Sequence, residues 1–148
     1  MASDGPDHWI VRRPIVVLLV ALDLILISLL IAWGLTEHAV NPVDRPVYTL
    51  RTIVPFAIGW LIMSPVAGAY STRALRSMRV MALATFAGWI GAAVAGVAIR
   101  ATPLVPGSGD PVFLLVMIGT GLLVLLPWRV CFCFLHIRYG SPDQSYVN

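Results

Sequence analysis

The sequence predicts an all-α polytopic membrane protein, with four transmembrane helices in an up-down-up-down bundle and both termini cytoplasmic. Three observations carry that prediction. Of 148 residues, 59% are hydrophobic and 11% charged, and the mean hydropathy of +0.88 lies far outside the balance of a soluble domain. The apolar residues fall into four runs, at about 14–34, 52–70, 80–99 and 112–128, the last extendable to 137, each close to the ~20 residues that cross a ~30 Å hydrocarbon layer. Short polar connections separate the runs, and short connections join antiparallel neighbours. Residues 1–148 therefore read as a single transmembrane domain.

Orientation comes from the arginines, which are the chain's ten basic residues; there is no lysine. With the amino terminus inside, the inner face collects Arg12, Arg13, Arg73, Arg76, Arg79, Arg129 and Arg138, against Arg45, Arg51 and Arg100 outside. The positive-inside rule then puts both ends of this multi-pass chain in the cytoplasm. A net charge of +3 with 9% aromatic residues offers no basic, stacking face, so nucleic acid is not an expected partner. The lipid bilayer is. Cys131 and Cys133 sit near the expected cytoplasmic end, where thiols stay reduced.

The first run opens with Arg12-Arg13-Pro14, proline suiting a first helical turn, where its missing N–H costs nothing. At about 20 residues it exceeds the apolar stretch of a secretory signal and is read as a retained helix. Leu35 to Arg51 holds Glu37, His38, Asn41, Pro42, Asp44, Arg45 and Pro46, the composition of a loop. The second run carries Pro65 in its interior, which removes a bond to the Leu61 carbonyl; the neighbouring Ser64 is a candidate replacement donor. In the third run Ala84, Gly88, Ala92 and Gly96 recur every four residues and stack on one face, where small side chains let another helix approach closely. The fourth holds Gly119-Thr120-Gly121 and Pro127, and FCFLHI beyond it is still apolar.

Asp23, near the centre of the first run, is the anomalous residue. An ionisable group at bilayer depth is costly and normally faces a bundle interior. Counting ~1.5 Å per residue from each outer helix end puts Asp23, Trp60, Ser64, Trp89 and Thr120 roughly 12 to 18 Å deep. They form a candidate midplane polar site. Two readings stand side by side: a site for a proton, ion or polar headgroup, or a structural layer in which an indole of Trp60 or Trp89, or a hydroxyl of Ser64 or Thr120, satisfies Asp23. In the structural reading Asp23→Leu would be tolerated. Arg100 lies near the outer interface, beyond ion-pair reach of Asp23, with Glu37 and Asp44 as nearer partners. Glu37, His38 and Arg100 make a candidate outer mouth.

Other motifs fail. His38 and His136 fall at opposite membrane faces, which excludes a shared haem, and Cys131-x-Cys133 lacks a second ligand pair for zinc. No metal, cofactor or catalytic residue is expected. Nucleotide, metalloprotease and hydrolase signatures are missing from the sequence. Trp33 and Trp128 read as interfacial anchors.

Asp23, Gly34 and His38, Pro55-Phe56, Gly59-Trp60, Trp89, Gly96, Arg100, Phe113 and Trp128-Arg129 together resemble DUF3054, a family of small four-helix prokaryotic membrane proteins of unknown function. The resemblance covers about residues 15 to 130. It implies topology and residue choice but supplies no activity.

The functional expectation is a non-enzymatic integral membrane protein. Permeation or transport of a small ion, proton or solute at the Asp23 site is the preferred form. Four helices leave little room for a pore, so transport implies a homo-oligomer, with the Gly88, Ala92 and Gly96 face as a contact. The alternative is an accessory or structural subunit of a larger membrane complex, or a lipid-binding protein.

Overall fold

The computed structural model describes residues 7–103, 105, 107 and 109–139, with side chains from Pro14 onward. Its elements are α1 (Asp7–Glu37), α2 (Pro46–Val66), α3 (Thr72–Leu75), α4 (Met78–Arg100) and α5 (Pro111–Tyr139). All four long helices are apolar enough to cross a membrane. The described residues form an all-helical, four-span bundle. The α1–α2 and α4–α5 connections lie on one face, here the loop face; the α2–α4 connection and the outer ends of α1 and α5 lie on the other, the terminal face.

Helix ends depart from the apolar runs where backbone chemistry outweighs hydropathy. Pro46 starts α2 six residues before Thr52 because proline is pre-organised for the first turn. The helix stops at Val66, one residue after Pro65, so that proline ends the helix rather than kinking its middle. Gly68 then adopts φ +76°. Its N–H donates to the Pro65 carbonyl and the Ala69 N–H to the Ser64 carbonyl, both at 2.9 Å, a left-handed cap that needs glycine. Ser71 caps the short α3 and Ser77 caps α4, each accepting a backbone N–H. At the chain's far end, apolarity carries α5 through to Tyr139.

Packing follows the stripes. On α1 the buried positions are Leu19, Asp23, Ile27, Leu30, Ile31 and Leu35; on α5 they are Met117, Gly121, Leu125, Arg129 and Cys133, a four-residue repeat along one face. The stripe of Ala84, Gly88, Ala92 and Gly96 is buried too, but inside the protomer against α2. A Cβ on Gly59 would meet the Ala92 carbonyl at 2.6 Å, one on Gly88 the Ser64 backbone at 3.3 Å, and one on Gly96 the Phe56 ring at 2.5 Å. Small residues thus bring α2 and α4 together. That corrects the expected oligomer contact: this face is already occupied.

Two apolar clusters divide the interior. The larger, around Ile27, Phe56, Trp60, Trp89, Val97, Met117 and Leu125, fills the centre and the loop half. The smaller, of Leu19, Ala74, Leu75, Met81 and Cys133, closes the terminal face. Because α3 folds under the bundle, Cys133 Sγ lies 3.4 Å from the Ala74 carbonyl.

Candidate functional site

Asp23 and Arg129 stand between those clusters, each with 0% of its surface exposed, joined by a side-on ion pair. Arg129 Nε donates to Asp23 Oδ1 at 3.0 Å, and Nη2 donates to Oδ2. Three further donors converge on the same carboxylate: Trp128 Nε1 on Oδ1 at 3.2 Å, Trp60 Nε1 on Oδ2 at 3.2 Å and Tyr70 Oη on Oδ2 at 3.0 Å. The other guanidinium nitrogen, Nη1, donates to the Ala69 carbonyl at 3.0 Å and approaches Met81 Sδ at 3.7 Å. The guanidinium also lies 4.6 Å from the Tyr70 ring centroid and 5.4 Å from that of Trp60, a cation–π arrangement.

Every spanning helix and the α2–α3 turn contribute to this cluster. The Gly68 cap delivers both the Ala69 carbonyl and the Tyr70 hydroxyl. Arg129 reaches up to Asp23 because helical side chains lean toward their own N-terminus, which for α5 is the loop face. A buried ion pair holds only when the remaining donors and acceptors are met, and here both carboxylate oxygens are. Chemically the cluster is a satisfied interior network. Burial pushes the Tyr70 phenol above its usual range, and the charge of Asp23 adds to that.

Of the expected midplane residues, Trp60 donates to Asp23 directly. Ser64 touches the cluster at one remove: its hydroxyl donates to the Trp60 carbonyl at 2.6 Å, rather than to the carbonyl freed by Pro65, and lies 3.3 Å from Tyr70 Oη. Trp89 and Thr120 do not reach it. The Trp89 indole donates to the Met117 carbonyl at 3.0 Å, and the Thr120 hydroxyl to that of Val116 at 2.7 Å. Trp128, expected as an interfacial anchor, is half-buried and turned inward. Arg129, counted as an inner-face charge, is the partner of Asp23. Its signal was the length of α5: with the helix continuing to Tyr139, Arg129 lies about 15 Å inside that end.

The loop half is built differently. A cavity of about 250 Å³ lies between α1 and α5, lined mainly by apolar groups including Leu30, Ile31, Trp33, Gly34, Val116 and Met117, with Glu37, His38 and Thr120. A second, of about 330 Å³, is lined by His38, Arg100, Asp110, Val112, Phe113 and Val116. They share His38, Phe113 and Val116 and so adjoin. Trp33 and Val116 are exposed on the bundle exterior, and a Cβ on Gly34 would meet nothing within 4 Å. The expected outer-mouth residues Glu37, His38 and Arg100 therefore do gather on adjoining cavities. The expected pairing of Arg100 with Glu37 or Asp44 does not form; among the described residues the only ion pair is Asp23–Arg129. Arg100 is 7% exposed, with its guanidinium 5.3 Å from the Phe113 ring centroid. Its Nε and Nη1 are buried without a hydrogen-bond partner among the described residues.

Four membrane-length helices clasped by an interior ion pair, with a crevice open at one end, define a multi-pass helical membrane protein. The family profile described as "Protein of unknown function (DUF3054)" matches residues 20–132, and the chain belongs to that family. No curated protein and no solved structure matches it.

Proposed function

We propose that this protein is a non-enzymatic module of the prokaryotic plasma membrane, with both termini cytoplasmic, which holds a small amphiphile in the crevice between α1 and α5. One observation carries the reading: the crevice is mostly apolar, has exposed Trp33 and Val116 in its lining, and adjoins a charged cavity at the loop face. Concave, mostly apolar sites with a few polar groups at one end are what small ligands use, and here the apolar wall faces lipid. The ligand class combines the lipid-binding alternative with a polar headgroup, and moves the site from Asp23 to the loop half.

Permeation or transport of an ion, proton or solute is the second reading, favoured by the ion pair deep in the bundle, since intramembrane charges commonly mark transport paths. In that reading Asp23 and Arg129 separate during each cycle, and the polar path continues through a homo-oligomer or a larger membrane complex. The test is native mass spectrometry of the protein purified in mild detergent. Wild type is expected to carry a retained amphiphile that Gly34→Phe, which fills the crevice, loses. Equal retention by both would overturn the crevice reading, and flux in liposomes abolished by Asp23→Asn in a folded protein would favour transport.

A further inference from the structure

Arg100 is the one residue whose side chain is buried with polar atoms left unmatched among the described residues: Nε and Nη1 have no acceptor. Leaving such donors unmet is expensive, and more so for a charged group. Two described neighbours press against the guanidinium without supplying an acceptor. Gly107 lies flat against the guanidinium, so close that a Cβ there would sit 2.8 Å from Nε, and Phe113 covers another side. Arg100 is also one of the residues lining the 330 Å³ cavity. The neighbouring acid does not neutralise it: Asp110 Oδ1 accepts the Val112 N–H at 2.8 Å, capping α5, and no Asp110 or Glu37 oxygen comes within ion-pair distance of Arg100.

We infer that Arg100 is the headgroup receptor of the crevice, and that the occupant is an amphiphile with an oxyanion head, a phosphate or a carboxylate, whose apolar chain lies between α1 and α5. This rests on the crevice reading above and names its ligand class. Arginine suits the role because its planar fork of donors matches an oxyanion. The order of groups fits one molecule: the cation sits at the loop face, His38, Phe113 and Val116 form the joint between the two cavities, and the apolar lining runs from there toward Leu30 and Ile31. Asp110 and Glu37 at the rim disfavour a second negative charge and favour a head that also carries hydrogen-bond donors.

The experiment is lipid retention by native mass spectrometry on the full chain, offered dioleoylphosphatidylglycerol, oleate or dioleoylglycerol, with inorganic phosphate as competitor. Wild type is expected to prefer an anionic amphiphile over dioleoylglycerol by about tenfold, the worth of one charge-assisted hydrogen bond. Arg100→Gln should bring that preference close to unity, and Arg100→Lys should retain part of it, with helicity and melting of both variants recorded to establish folding. Whichever of phosphatidylglycerol and oleate is retained identifies the oxyanion. If dioleoylglycerol binds as well as the anionic amphiphiles, or Arg100→Gln keeps the full preference, the assignment to Arg100 fails while the crevice reading stands. If Gly34→Phe leaves all retention unchanged, the crevice reading itself fails. Displacement by millimolar inorganic phosphate would overturn the amphiphile in favour of the free anion.

Discussion

Arg129 and Arg100 are almost equally buried, each lies against an aromatic ring, and each sits on an apolar helix, yet they do opposite things. At Arg129 the bundle supplies a carboxylate, a backbone carbonyl, a thioether and two ring faces. At Arg100 it supplies one ring, a glycine backbone and a cavity. Burial alone therefore says little about a charged residue's role. What separates structure from site is whether the protein completes the hydrogen bonding itself or leaves it open.

The largest effect should come from breaking the closed end. Asp23→Leu or Arg129→Met leaves the opposite charge buried and unpaired, which costs about 3–5 kcal/mol; the double variant should recover most of that loss, as read by reversible unfolding in mixed micelles. Equal losses in the single and double variants would sink the pair as a stabilising unit. This reverses what the sequence suggests for Asp23→Leu, since tolerance requires that no buried cation depend on it.

Packing provides the next contrast. A Cβ at Gly121 would fall 2.0 Å from the Trp89 ring, whereas one at Gly34 meets nothing within 4 Å. Gly121→Ala is expected to destabilise by about 1–3 kcal/mol through overpacking, and Gly34→Ala to be neutral or to stabilise by up to about 1 kcal/mol, since alanine restricts the unfolded chain. Similar melting shifts for the two would mean that the loop half is as tightly filled as the rest.

Tyr70 sharpens the closed end through pH. Its phenol is held above the ordinary range by burial first and by Asp23 second, so its contribution is fully present below about pH 10 and is lost as pH rises through the raised value. Tyr70→Phe should cost about 1 kcal/mol at neutral pH and flatten the alkaline fall in melting temperature. An unchanged alkaline profile would show that another group controls it.

The smallest stability change is expected at the open end. Arg100→Gln removes donors that have no partner among the described residues, so the ligand-free protein should shift by less than about 1 kcal/mol, in either direction. A loss comparable to that of Arg129→Met would place Arg100 with the structural charges.

Much of this architecture was legible in the chain. Hydropathy marked the four spans, and the cost of a carboxylate at depth pointed to Asp23, facing inward with Trp60 beside it. The partner was harder to see. Rise per residue gives depth but not rotation, so Trp89 and Thr120 shared a computed level with Asp23 while facing elsewhere. Arg129 looks like a boundary charge because it directly follows the 112–128 stretch, even though the run is extendable to 137, and Tyr70 depends on a glycine cap that no periodicity reveals. At the loop face Glu37, His38 and Arg100 form a group in the sequence, but that no described residue accepts from Arg100 Nε and Nη1 is a property of three-dimensional packing.

The ion pair joins residue 23 to residue 129, 106 residues apart in the chain. During synthesis α1 must enter the membrane long before α5 exists, so its carboxylate waits without its counter-ion while three further segments are made. Completion of the fold thus depends on α5, which is made after the other described helices. A chain cut short before Arg129 would expose an uncompensated charge in its first helix, a mark by which membrane quality control can tell an unfinished bundle from a finished one.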